Sequence, residues 1–127
     1  MKYLILFCFT LLITNCDAQT SPVNVAKEYL SAIDNFDHVK AKKLLILNDN
    51  NLKSLQNIKK ASDSMTPSER AKYVNNKKIY HFTEEKVSAE TAKIIATNNQ
   101  GAFNVAIVFN LKKVGNKWLI NDYTSGF

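Results

Sequence analysis

Residues 102–123 read AFNVAIVFNLKKVGNKWLINDY, and the alternation inside them decides the fold. Phe103, Val105, Ile107, Phe109 and Leu111 fall on every second position, the period of a strand that buries one face. Gly115 and Asn116 then offer a glycine-first two-residue turn, and residues 117–123 resume extended with Trp118, Leu119 and Ile120. Closing the hairpin there sets Leu111 opposite Ile120 and Lys113 opposite Trp118, so the apolar sets of both strands share one face. On this parity Trp118 is the expected largest buried contributor against the first helix and Asp122 joins the buried set. Ala106, Val108, Leu119 and Tyr123 fall on the opposite face.

Upstream of this hairpin, Tyr80, Phe82 and Val87 mark an extended run from 78 to about 86. Residues 91–97, with Ile94 and Ile95, predict another strand before a turn at 98–101. Earlier still, the spacing is helical. Ser21-Pro22 supplies an N-cap and a first-turn proline, and Ala26, Tyr29, Leu30 and Ile33 mark one face of a helix ending near Asn35. Asp37 caps a second helix expected to run through Leu47, burying Ala41, Leu44 and Leu45. Asn48-Asp49-Asn50-Asn51 reads as a polar break, and Leu52, Leu55 and Ile58 predict a third helix to about Ala61. Thr66-Pro67-Ser68-Glu69 is a capping box for a short fourth helix to about Val74. Helices first and an antiparallel meander second is an α+β arrangement, with the helices laid across one face of the sheet.

At 127 residues the chain is long enough for one packed core and too short to divide, which makes residues 19–127 a single domain. The formal charge of +6 comes almost entirely from lysine, since Arg70 is the only arginine. Nucleic-acid sites favour the planar fork of arginine, so that partner is disfavoured. The lysines are interspersed with acids, the pattern of a solvated surface.

Residues 1–18 have the pattern of a secretory signal: Lys2, then an apolar run from Tyr3 to Ile13 well short of a membrane span. Cys16-Asp17-Ala18 fits cleavage before Gln19, while Ile13-Thr14-Asn15-Cys16 fits a bacterial lipobox, with Asn15 where a small residue is usual. Soluble export and lipidation at Cys16 both remain open, and membrane association is expected only through that anchor. In either case no free thiol is left in the mature domain.

The Ser-Pro helix, the aspartate-capped second helix, the helical middle and the strands ending in the Gly-x-x-Trp hairpin at Gly115 to Trp118 resemble the nuclear-transport-factor-2-like superfamily. More narrowly, the chain is similar to small bacterial exported or lipoprotein domains of unknown function in that group. The resemblance implies a curved sheet cupping helices into a cone, a cystatin-like layout. The cone's cavity is catalytic in some members and filled in others, so fold alone does not fix function.

Catalysis of the ketosteroid-isomerase kind needs a carboxylate base and a hydrogen-bond donor converging in a dry cavity. Asp122 is the candidate acid here, with Tyr80, His81 and Glu84 on another strand that could face it. The plainer expectation for Asp122 is a solvated carboxylate near a strand end, and for His81 a partly exposed strand residue. His38 reads as helix surface. Two histidines and no mature cysteine argue against a transition-metal site, and no cofactor is expected. The sequence favours a non-enzymatic cell-envelope domain that binds a small apolar ligand or an envelope protein; the alternative is a small lyase or isomerase using a cavity carboxylate. The opposite sheet face predicts a homodimer surface around Ala106, Val108, Leu119 and Tyr123.

Overall fold

The computed structural model describes residues 21–76, 78–98 and 105–126. The expected signal segment with Cys16, the turn beyond Asn98 and Phe103 lie outside them. Four helices come first: α1 (Pro22–Asp34), α2 (His38–Lys43), α3 (Asp49–Asp63) and α4 (Pro67–Asn75). Four strands come next, β1 (His81–Val87), β2 (Thr91–Asn98), β3 (Val105–Val114) and β4 (Lys117–Gly126), forming one open antiparallel sheet in that order.

Helix α1 begins as its cap predicts, with the Ser21 hydroxyl accepting from the Asn24 amide at 3.2 Å. It ends in a Schellman turn. The Phe36 amide donates to the Ile33 carbonyl and the Asp37 amide to the Ala32 carbonyl, while Phe36 takes φ +59. A left-handed phenylalanine costs about 1 kcal/mol. Its ring is compensated by Tyr73, 5.4 Å away between centroids, and by the Arg70 guanidinium, also at 5.4 Å.

Two helix boundaries depart from the sequence reading, for one physical reason. Helix α2 stops at Lys43 rather than Leu47 because the residues after it pair with β4: the Ile120 amide donates to the Leu44 carbonyl at 2.9 Å, and the Ile46 amide to the Ile120 carbonyl at 2.8 Å. Four successive apolar residues, Leu44 to Leu47, suit extended backbone better than a helix with one wet side. The polar run beginning at Asn48 is the start of α3 and not a break, for Asn48 caps it by accepting from the Asn51 amide at 2.9 Å.

The hairpin forms in the predicted register. Leu111 lies opposite Ile120 and Lys113 opposite Trp118, with Gly115 at φ +64 in the turn. Beyond Ile120 the register shifts, because Asn121 is an extra residue on β4 with no counterpart on β3. The bulge reverses the parity of the rest of β4. Tyr123 sits opposite Phe109 on the helix side, and Asp122 sits opposite Asn110 on the outer side. Both face assignments from simple alternation are thereby corrected.

The core lies between α1 and the inner sheet face, where Tyr29, Phe109, Ile94, Leu111, Ile120 and Val25 are the largest fully buried side chains. Tyr29 meets Phe109 edge-on at 6.0 Å and donates from its hydroxyl to that of Tyr123 at 2.8 Å. These side chains fill the space under α1. Trp118 shares their face, but near the hairpin tip it is only half-buried, so Tyr29 and Phe109, not the indole, are the centre of the packing.

Strand β1 forms one edge of the sheet. Its residues are mostly exposed, three of the seven are charged, and a bulge at Glu85 interrupts its ladder, which protects an edge from pairing with other chains. The bulge also lets Glu85 meet Lys93 at 3.2 Å, offsetting the like charge of Lys86 directly across from Lys93.

Candidate functional site

Where the C-terminal half of α1 faces α4 and the start of β1, a cleft of about 430 Å³ opens at the sheet edge. Helix α1 contributes Lys27, Leu30, Ser31 and Asp34, a stripe at i, i+3, i+4 and i+7 beside its buried face. Helix α4 contributes Tyr73 and Val74, the chain leading into β1 contributes Lys78 and Tyr80, and β1 itself contributes Phe82.

Three of these groups are bonded to each other. The Tyr73 hydroxyl donates to the Asp34 carboxylate at 3.0 Å, the Lys78 ammonium donates to the Tyr73 hydroxyl, and Lys78 lies 3.8 Å from Asp34. The Lys78 ammonium also rests 4.1 Å from the Tyr73 ring centroid. Burial pushes the Tyr73 hydroxyl far above its ordinary pKa, helped by the charge and hydrogen bond of Asp34. Tyr80 is raised for the same first reason, and then by the Asp34 charge. Both phenols therefore stay protonated near neutrality, as donors.

This cluster has a structural duty. Helix α4 buries no residue. Its own capping box, Thr66 with Glu69, fixes its start, and the Arg70 guanidinium donates twice to the Ser62 carbonyl, at 2.7 and 3.1 Å. Tyr73, held by Asp34 and stacked near Phe36, fastens the other end to α1.

The residues singled out in the sequence are dispersed. Tyr80 lines the cleft. His81 begins β1 opposite Thr97 on the outer side and is exposed. Glu84 pairs with Ile94 on the helix side, yet nothing covers it and it too is exposed. Asp122 is on the far strand and the outer face, accepting from the Asn110 amide at 2.7 Å and the Asn121 amide at 3.2 Å. Three strand spacings put β4 roughly 14 Å from β1. The structure therefore does not bring Asp122 together with Tyr80, His81 or Glu84. The acid that does meet a tyrosine is Asp34, which the sequence reading did not single out; the signal was the Lys27-to-Asp34 stripe.

His38 is more than helix surface. Its Nε2 is 3.0 Å from the Ser62 hydroxyl, which already donates to the Lys59 carbonyl at 2.9 Å, so the imidazole is the donor and ties α2 to α3. Beside it runs a second groove along Val39, Leu52 and Leu55. Among the described residues, no group of three His, Cys, Asp or Glu is placed to hold a metal ion, and no helix is long and apolar enough to cross a membrane. No protein-family model and no curated protein sequence matches the chain.

Proposed function

We propose that this chain is a non-enzymatic cell-envelope domain of the nuclear-transport-factor-2-like kind that holds a small ligand with an apolar body in the α1–α4–β1 cleft. Support for the family comes from four helices preceding an open four-stranded meander, with the helices on one face. The observation that carries the binding reading is a contrast. The interior beneath α1 holds the fully buried Tyr29 and Phe109, whereas the edge cleft has a size typical of small-ligand sites, aromatic walls and several polar groups.

The isomerase alternative finds its nearest carboxylate–phenol pair in Asp34 and Tyr73, but each is already the other's partner, in an open cleft and not a dry cavity. Binding is tested by titrating the protein with 2-naphthalenemethanol and following backbone amide NMR shifts. Shifts centred on Ser31, Tyr73, Tyr80 and Phe82 support the reading; shifts centred on Val39 and Leu52, or none at millimolar probe, reject it. Isomerisation of a β,γ-unsaturated ketone, abolished by Asp34→Asn, would replace binding with catalysis.

Export belongs to the same proposal, motivated by Lys2 and the apolar run to Ile13. The mass of the native N-terminus reads it directly. An acylated Cys16 means a lipoprotein, a free Gln19 means a secreted or periplasmic protein, and an intact 1–18 segment removes both.

A further inference from the structure

Among the described residues the charged groups lining the cleft are Lys27, Lys78 and Asp34, which leaves one positive charge in excess. The two lysines differ in their commitments. Lys78 is engaged by Asp34 and by both the hydroxyl and the ring of Tyr73. Lys27 is exposed, its ammonium 5.5 Å from the centroid of Phe82, and none of the ion pairs among the described residues includes it. A ring face is a weak partner for a solvated ammonium, and an anion replaces it readily with a charge-assisted hydrogen bond.

Geometry sets the rest of the ligand. Lys27 and Asp34 lie on one stripe of α1, and at 1.5 Å per residue they are separated by roughly 10 Å along the axis. Leu30, Tyr80 and Phe82 form the apolar wall between the two ends. The far end offers Asp34 as an acceptor and the Asn35 and Asn76 side chains as amides. With one lysine in excess among the described lining residues, the site suits a single anionic head group.

We infer that the cleft selects a monoanionic amphiphile, an organic carboxylate whose head meets Lys27 and whose apolar body of roughly 10 Å lies along Leu30, Tyr80 and Phe82. This rests on the reading of the cleft as a ligand site, and adds the class of ligand. The net positive charge of the chain, +6, favours the approach of such a ligand.

Three probes of one shape test it: 2-naphthoate, 2-naphthalenemethanol and 2-naphthylmethylammonium, each titrated into the protein with the amides of Ser31, Tyr80 and Phe82 as reporters. The naphthoate should bind roughly fivefold tighter than the alcohol, and the ammonium more weakly than either. Lys27→Met, at an exposed position, should remove the naphthoate's advantage over the alcohol. Lys27→Arg should keep the preference, and Lys42→Met, beside the other groove, should not alter it. Equal binding of the three probes in the cleft, or a preference that survives Lys27→Met, overturns the anion selectivity while the cleft remains a ligand site. No shift at these amides with any probe overturns both.

Discussion

The side-chain amide of Asn51 donates to the main-chain carbonyl of Ile120 at 3.0 Å, across 69 residues of chain. The same amide reaches the Ile46 carbonyl at 2.8 Å and the Asn121 carbonyl at 3.0 Å, and Asn48 adds a second amide to Asn121 at 2.9 Å. A bulge takes its extra residue out of the ladder, and here the first turn of α3 supplies the missing donors. Asn51 is therefore the fastener of the bulge, buried to 2% exposure. Asn51→Ala should cost about 1 kcal/mol, since the bonds of a buried amide are lost while the Ile46, Ile120 and Asn121 carbonyls each keep one donor, from the Asn48 amide, the Ile46 amide and the Asn48 side chain. Asn51→Asp should cost more, since an ionised carboxylate only accepts and would face three carbonyls. Urea unfolding of both variants checks the order; a neutral Asn51→Asp would contradict this role.

The aromatic residues are unequal in the core. Phe109 is fully buried between Tyr29 and Tyr123, so Phe109→Ala should cost about 3–5 kcal/mol. Trp118 is half-buried near the hairpin tip, and its replacement by Ala should cost less, about 1–3 kcal/mol. Chemical denaturation of the pair measures the difference. A larger loss at Trp118 would move the centre of the core to the hairpin end.

Alkaline pH should unfold the domain through its phenols. Burial raises the Tyr29 hydroxyl far above its usual value, with the Tyr123 hydrogen bond adding to it, and Tyr73 and Tyr80 shift the same way. The unfolded chain ionises first, near pH 10, and binds fewer protons above that point than the folded one. The stability these groups provide is thus fully present below about pH 10 and is lost as pH climbs beyond it. Denaturant midpoints at rising pH should fall above that point, and Tyr29→Phe should make the fall shallower. An unchanged slope in Tyr29→Phe would assign the effect to other groups.

The outer sheet face, with Tyr123 turned inward, presents Ile95 opposite Val108 and Thr97 opposite Ala106, with Leu119 further along β4. We propose a second copy of this chain as its partner. Tyr123, the largest side chain of the patch that alternation suggested, has left it, and a stable interface buries roughly 1,000 Å² or more. Association should be weak, visible by light scattering only at high concentration, and lost in Leu119→Lys. A dimer indifferent to that substitution would lie elsewhere.

The hairpin register was legible because two local signals, a glycine-first turn and a period of two, agree on where Leu111 and Ile120 meet. The reversal after Ile120 was written in the same stretch, as the three-residue step from Ile120 to Tyr123 across the polar pair Asn121-Asp122. Strict alternation cannot accommodate such a step, and only the partner strand and Asn51 show which residue is extra. The N-cap of α1 and the capping box of α4 were readable from neighbours three residues apart. The end of α2 was not, since it depends on hydrogen bonds to a strand far along the chain. The cleft lies beyond local reading for the same reason. Asp34, Tyr73 and Lys78 belong to a helix, a second helix and a connection, and only the packing of Arg70 and Tyr73 around Phe36 brings them together. Tyr80 was found because it opens a strand; its neighbours in the cleft carried no motif.

Helix α4 contributes a wall of the cleft and not one buried side chain. Detaching it would break polar bonds and ring contacts while leaving Tyr29, Phe109 and the sheet as they are. In the proposed binding site, the α4 wall is thus separate from the core, whereas the α1 wall shares Leu30 with it. Substitutions at Val74 or Asn76 should reshape what the proposed site accepts without drawing on the stability of the core, so that its ligand could change over evolutionary time while the scaffold is preserved.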